Sequence, residues 1–183
     1  MQKFSLATAF LMASLFAFNA CKKSDDSPNS ASTEVKDTVT SFFVYFANTS
    51  DSMVEVGNYD DPDGPGPMQA TISGVSLKAN STYEVTFSIK DETNQNKIEY
   101  IDSKIKSQGK DFKICIGNPL GITVQATDSD GSMPIGLENI LNTSSSKGDV
   151  KLNFTIKNQK GVKDGTCSPG EVYFSFDMPI SVL

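Results

Sequence analysis

The chain of 183 residues contains no histidine, no tryptophan and no arginine. Without histidine it lacks the commonest general base of enzymes and the commonest ligand of transition metals. It also carries only 16 basic residues against 22 acidic ones, so it lacks the clustered cationic groups by which proteins bind phosphate backbones. These absences predict a protein that is not an enzyme, binds no nucleic acid and needs no cofactor.

Long hydrophobic runs are scarce, and the longest stretch without charge lies at the N-terminus. Residues 4–18 follow Lys3 and are rich in Leu, Phe and Ala. The run is shorter than the roughly 20 apolar residues that a membrane-spanning helix needs. Its length and its position after a single positive charge are typical of a secretory signal, which we place at residues 1–20.

The apolar run ends at Ala20 and Cys21, and Lys-Lys-Ser-Asp-Asp follows. This pattern resembles the signal of bacterial lipoproteins, in which the cysteine is diacylated and becomes the first residue. Phe18 and Asn19 depart from the commonest motif, as lipoproteins of the Bacteroidetes tolerate. Residues 22–26 resemble the export tag of that phylum. The resemblance implies lipidation of Cys21, for example by palmitate, and a place in the outer membrane facing the cell exterior. An ordinary signal followed by a solvated tether is the alternative.

The rest of the chain divides into a tether and one domain. Residues 21–34 are mostly Ser, Asp, Asn, Pro and Lys, which predicts a flexible tether. Residues 35–183 are enough for a single domain with its own core. Removal of residues 1–20 would take Lys3 away and leave 15 lysines (16 less one) against 22 acidic residues, a net charge of −7.

Within the domain, apolar and polar residues alternate with the period of a β-strand. The clearest rows are residues 83–90, 150–157 and 172–182, and residues 42–46 are apolar on both faces, which predicts a central or doubly covered strand. Further strands are predicted at residues 39–47, 53–57, 68–77, 112–116, 122–127 and 134–141. Eight or nine short strands separated by Gly and Pro turns predict an all-β, antiparallel sandwich.

One segment has helical spacing instead. Ile98, Ile101 and Ile105 fall on one face of a helix, and Asn96 suits its N-cap. We predict a short helix that crosses between the two sheets, although an edge strand would also fit.

Leu77 stands six residues before Tyr83, which opens the best-alternating strand. This spacing resembles the tyrosine corner of fibronectin type III and immunoglobulin-like sandwiches. The resemblance implies that the Tyr83 hydroxyl bonds to upstream backbone and fixes the crossing between the sheets.

Three passages resemble small lipoproteins of the Bacteroidetes: Asp-Pro-Asp-Gly at residues 61–64, the passage at 128–137, and the glycine-rich hairpin ending in Pro-Gly-Glu at 169–171. The similarity runs from about residue 39 to the end. That group implies no particular activity, and its histidines before the middle strand and in the last hairpin are absent here. Such lipoproteins accompany TonB-dependent outer-membrane transporters, which implies a transporter as partner.

Two cysteines, Cys115 and Cys167, remain besides Cys21. The oxidising envelope favours a disulfide between them, which would stabilise the domain by roughly 4 kcal/mol. One buried and one exposed thiol is the alternative, since spacing alone does not place the two Cα atoms within bridging distance.

Two glycine turns are rich in carboxylates. The first acidic turn (residues 60–64) holds Asp61 and Asp63, and the second acidic turn (residues 128–131) holds Asp128 and Asp130. Such oxygens suit Ca²⁺, but neither turn has the EF-hand spacing, and Asp and Gly favour turns for local reasons. We predict structural turns, with a cation site as the weaker alternative if the two turns meet. A glycosidase pair is disfavoured, because no tryptophan platform exists.

Thr38 and Ser52 follow aspartate and precede an apolar residue. This pattern resembles the acceptor for O-glycosylation in the envelope of the same phylum, and we expect Thr38, beside the tether, to be the more accessible.

Two function classes follow from the sequence. The first is a lipid-anchored surface binding module, accessory to an outer-membrane transporter. The second is a structural or adhesive envelope lipoprotein without a small-molecule ligand. A concave pocket lined by aromatic residues would favour the first, and featureless sheet faces with a large exposed patch would favour the second.

Overall fold

A computed structural model of the protein describes residues 38–117, 119 and 121–183. The predicted signal peptide, the tether and Cys21 lie outside these residues. The described part folds as two β-sheets that share one hydrophobic core, together with one short helix, which confirms the predicted all-β sandwich. In this part of the chain no helix has the length and apolarity needed to cross a membrane.

The first sheet is antiparallel. Its order is β3-β2-β1-β5-β9-β8, and a short β6 pairs with the end of β5. β1 is central, as the two apolar faces of residues 42–46 predict, and its inward side chains Phe42, Val44 and Phe46 are fully buried. The strands are β1 Ser41–Asn48, β2 Val54–Asp60, β3 Thr71–Ser73, β5 Thr82–Asp91, β6 Glu99–Tyr100, β8 Ile122–Ala126 and β9 Glu138–Thr143.

The second sheet has the order β4-β11-β10-β7. β4 runs parallel to β11, so this sheet is mixed, whereas its other strand pairs are antiparallel. The reason lies at Gly74, where the single strand predicted at residues 68–77 divides and passes from the first sheet to the second. A Cβ at Gly74 would collide with the Pro179 carbonyl oxygen. The strands are β4 Val75–Leu77, β7 Phe112–Ile116, β10 Gly148–Asn158 and β11 Glu171–Val182.

The predicted helix is present as α1, Ile101–Ser107, and it links β6 of the first sheet to β7 of the second. It begins later than predicted, because Tyr100 is the N-cap residue, and Asn96 belongs to a local turn in which its N–H donates to Asn94 Oδ1. Ile101 and Ile105 are buried as expected, whereas Ile98 precedes the helix and is exposed.

Aromatic rings from both sheets meet in the core. The ring centroid of Phe176 lies 5.2 Å from that of Phe42 and 5.4 Å from that of Phe154. Burial of each such side chain contributes roughly 1.5–3 kcal/mol. Tyr83 is 2% exposed, and its hydroxyl accepts a hydrogen bond of 2.7 Å from the backbone N–H of Lys78. The predicted corner is therefore confirmed.

A disulfide joins Cys115 in β7 to Cys167, with Cα atoms 6.0 Å apart. Cys167 lies in the connection between β10 and β11, at residues 159–170. Lys157 Nζ donates to the carbonyl oxygens of Cys167 and Ser168, and the fully buried Gln159 donates through Nε2 to two more carbonyls of this connection. These contacts fasten the β10–β11 connection to the second sheet.

Candidate functional site

A groove of about 560 Å³ opens where three segments converge. They are the middle of β5, the polar face of α1, and the segment that joins β8 to β9 through the second acidic turn. α1 packs beside β5, and Thr86 of β5 pairs in register with Glu138 of β9. The groove therefore lies along the edge where the helix, the first sheet and this connection meet.

The apolar lining of the groove comes from Phe87, Ile135 and Leu137. The Phe87 ring lies 5.3 Å from the ring of Phe42, which anchors it to the core. Ile135 is buried, and its carbonyl oxygen accepts a hydrogen bond of 2.7 Å from the Ile114 N–H, which ties the connection to β7. This part of the lining is thus continuous with the core.

Asp128, also in the groove, shapes the backbone of the second acidic turn. Its Oδ1 accepts a hydrogen bond of 2.8 Å from the Gly136 N–H, and its Oδ2 one of 3.1 Å from the Leu137 N–H. Gly136 has a φ of +89°, and a Cβ there would collide with the Ile114 carbonyl oxygen. The connection therefore packs tightly against β7, and Asp128 holds it there.

Asp130, in the same turn, accepts more hydrogen bonds than Asp128 does. Its Oδ2 accepts a hydrogen bond of 2.9 Å from Lys163 Nζ, and both side chains of this ion pair are 5% exposed. Its Oδ1 accepts from the backbone N–H groups of Ser132 and Met133. The hydrogen bond from Lys163, followed by those from Met133 and Ser132, holds the pKa of Asp130 far below its usual value. Both carboxylates of this turn therefore support the backbone, as the interpretation of structural turns expects.

A second buried lysine supports this turn. Lys113 of β7 points its Nζ toward the Pro134 carbonyl oxygen at 3.4 Å, and its pKa is lowered by burial and by the nearby Lys163. Lys163 itself also donates to the Gly109 carbonyl oxygen at 2.6 Å. The segment that joins β8 to β9 is thus held by two lysines, Lys113 from β7 and Lys163 from the β10–β11 connection.

Three charged groups of the groove lie outside this network: Asp102, Glu138 and Lys106. The Oδ1 atom of Asp102 is buried and has no hydrogen-bond partner among the described residues. Glu138 is exposed at the start of β9, and Lys106 is exposed one helical turn after Asp102. Asp102 and Glu138 are therefore the carboxylates that the fold leaves to face the groove.

The first acidic turn is arranged differently and does not line the groove. Asp61 is 7% exposed, its Oδ2 accepts a hydrogen bond of 2.9 Å from the Tyr59 hydroxyl, and its buried Oδ1 has no partner in the described part of the chain. Burial and Asp61 together raise the pKa of Tyr59 to about 12. Asp63 is exposed and accepts one bond of 3.4 Å from the Met68 N–H. Among the described residues, no three carboxylates or cysteines are grouped so as to hold a metal ion.

The two residues that resemble O-glycosylation acceptors, Thr38 and Ser52, differ in accessibility. Thr38 is half-buried and its N–H donates to Asp91 Oδ2 at 2.9 Å, whereas Ser52 is exposed in the β1–β2 hairpin with a φ of +57°. The expectation that Thr38 is the more accessible is therefore wrong. The reason is that Asp91, which is distant in sequence, binds the backbone just before β1.

Sequence reasoning singled out two groove residues, Asp128 and Asp130, and missed the others. Lys113, which supports the second acidic turn but does not line the groove, gave a visible signal, because a lysine stands inside the apolar row of β7. Asp102 and Lys106 gave none, since they look like the solvated face of an amphipathic helix.

Comparison of the chain with protein-family models, with curated protein sequences and with solved structures finds no match.

Proposed function

We propose that the protein is a lipid-anchored module at the outer face of the outer membrane, and that it holds a small ligand in the groove. The observation that carries the proposal is the groove itself, in which the apolar side chains Phe87, Ile135 and Leu137 are continuous with the core and stand among polar groups, some of them uncommitted. Small-molecule sites are usually concave and mostly apolar, with a few placed polar groups.

The anchor is supported by the sequence around Cys21. Two or more acyl chains hold a protein stably at a membrane, where a single chain does not. Replacement of Cys21 by Ser should move the protein from the outer-membrane fraction to the soluble fraction. Unchanged membrane association would refute the anchor.

Binding rather than catalysis fits the chemistry of the groove. Its hydroxyl groups, those of Thr86, Ser103 and Ser129, have no histidine to activate them, because the chain contains none. A TonB-dependent transporter is proposed as the partner that receives the ligand, which rests on the resemblance to lipoproteins of the Bacteroidetes. Affinity purification of the lipidated chain from native membranes should retain such a transporter.

The groove can be tested by recovering whatever ligand the protein carries in its own cells. Ser103 lines it from α1, whereas the exposed Ser107 on the same helix does not. The lipoprotein purified from its native cells should release a small molecule on denaturation, detected by mass spectrometry. Ser103→Trp should abolish this molecule and the matched Ser107→Trp should not. Equal recovery from all three proteins, or from none, would count against the groove as a ligand site.

A structural or adhesive role is the second candidate, and one observation favours it. Val54 and Val56 on β2 are 51% and 45% exposed, and they pair in register with Ala47 and Tyr45 on the outer face of β1. Exposed apolar rows of this kind occur where proteins contact one another. Under this alternative, Val54→Ser with Val56→Ser would abolish cell–cell or surface adhesion and Ser103→Trp would have no effect.

A further inference from the structure

We infer that the groove selects organic cations, specifically a primary ammonium group carried on an apolar body. The ammonium group would sit between Asp102 and Glu138, and the apolar body against Phe87, Ile135 and Leu137. The inference rests on the proposed function, because it names the ligand class of the same groove.

The charges of the groove support a cation. Four carboxylates line it, but Asp128 is occupied by two backbone N–H groups and Asp130 by Lys163. The remaining pair, Asp102 and Glu138, faces a single exposed ammonium group, that of Lys106. An anionic ligand would meet like charge, whereas an ammonium group would meet charge of opposite sign.

The buried oxygen of Asp102 gives the second argument. A buried carboxylate oxygen without a hydrogen-bond donor is unfavourable, and Asp102 Oδ1 has none among the described residues. Because the atom is buried, the Asp102 carboxylate would have to rotate to present it to the groove, and a ligand that then donates an N–H to it would relieve that cost on binding. The surrounding backbone N–H groups of the second acidic turn do not serve it, because they bond to Asp128 and Asp130.

The apolar side of the groove determines what kind of cation fits. Phe87, Ile135 and Leu137 offer an aromatic ring and two aliphatic side chains beside the carboxylates. An aromatic ring attracts ammonium groups through its face and buries the carbon body of a ligand equally well. A bare metal ion would gain nothing from these residues, and the described residues hold no cluster of three metal-ligating carboxylates or cysteines.

The experiment compares three probes of nearly the same shape: phenethylammonium, 2-phenylethanol and phenylacetate. Each is titrated by calorimetry into the full lipoprotein in neutral detergent at low salt. Phenethylammonium should bind roughly tenfold more tightly than the neutral alcohol, and the anion should not bind measurably. The affinity for the cation should fall as salt is raised.

Three matched variants locate the effect. Asp102→Asn should weaken phenethylammonium binding by roughly fivefold, since the charged hydrogen bond becomes a neutral one. Lys106→Gln should strengthen it by about twofold, because a competing ammonium group is removed from the exposed rim. Glu171→Gln is the control: it also removes one carboxylate charge, but at an exposed position on β11 that does not line the groove, and it should leave phenethylammonium binding unchanged. A purely structural role for these residues would not make Lys106→Gln tighten binding.

The outcomes separate the two claims. If 2-phenylethanol binds as tightly as phenethylammonium and Ser103→Trp abolishes both, the groove is a ligand site and the preference for cations is wrong. If no probe binds and Ser103→Trp leaves the recovery of native ligand unchanged, the proposed function fails as well. Should Asp102→Asn unfold the chain, Lys106→Gln still decides, and an unchanged or weaker affinity in that variant would overturn the inference.

Discussion

The two acidic turns are built from the same residue types and end in opposite electrostatic situations. In the second turn, Lys163 and backbone N–H groups supply donors to Asp130, and backbone N–H groups supply them to Asp128. In the first turn, Asp61 receives one bond from the neutral Tyr59 hydroxyl, and its other oxygen is buried without a partner in the described chain. The donors that the surrounding backbone and Lys163 supply, rather than the Asp and Gly residues of the turn, therefore decide whether a buried carboxylate stabilises the fold.

The difference has a structural origin. The second acidic turn lies against β7 and the β10–β11 connection, which supply Lys113 and Lys163. The first acidic turn follows β2, where its backbone bonds to Thr40 and its aspartate meets an aromatic residue. The comparison predicts that changes near the second turn cost stability and that removal of charge from the first does not.

The largest effect is expected from the disulfide, because it fastens the connection that carries Lys163. Replacement of Cys115 and Cys167 by Ser opens a cross-link between residues 52 apart and should lower the free energy of unfolding by about 4 kcal/mol. Urea unfolding measures the loss. Hydrogen exchange should accelerate at residues 128–137 and stay unchanged at residues 60–66. Equal acceleration of hydrogen exchange in both turns would contradict the proposed difference between them.

The next largest effect is expected at Asp128. Asp128→Ala leaves the N–H groups of Gly136 and Leu137 without their charged acceptor, and it should cost roughly 2–4 kcal/mol in urea unfolding. Asp63→Ala is the matched change in the first turn. That side chain is exposed and accepts a single bond of 3.4 Å, so its loss should stay within about 0.5 kcal/mol. Similar losses in the two variants would contradict the assignment of partners.

The fold could be predicted from the sequence better than the site. The alternation of residues 83–90, 150–157 and 172–182 and the spacing of Leu77 and Tyr83 are local patterns, so they gave the sandwich and its corner. The parallel pair β4–β11 depends on the change of sheet at Gly74, and the alternation of apolar and polar residues does not reveal where that change occurs. The groove gathers Phe87, Asp102 and Glu138 from three distant segments, and each looks ordinary in its own element.

Changes of pH should loosen the two turns at opposite ends of the scale. The pKa of Asp130 is lowered in the folded state, so its stabilisation is present at neutral pH and is lost as the pH falls below about 3.8. The pKa of Tyr59 is raised from 10.0 to about 12, so its stabilisation is present below pH 10 and is lost as the pH rises toward 12.

Unfolding free energies measured against pH, with two variants, test this pair of effects. Asp130→Asn should make the acid limb shallower and leave the alkaline limb, and Tyr59→Phe should do the reverse. Neither limb should vanish, because the pKa values of other carboxylates are also lowered and that of Lys78 is also raised. An alkaline limb as steep after Tyr59→Phe as before it would show that Tyr59 does not contribute there.

A small effect, neutral or favourable for stability, is expected at Asp61. Asp61→Asn keeps an acceptor for the Tyr59 hydroxyl and replaces a buried charge by a neutral amide, which is cheaper to bury. The free energy of unfolding should stay the same or rise by up to about 1 kcal/mol. The pKa of Tyr59, followed by phenolate absorbance, should move down from about 12 toward 10.0, because the negative charge beside it is gone. A loss of more than about 1 kcal/mol would show that Asp61 Oδ1 has a partner in the folded protein, and the contrast between the two turns would then disappear.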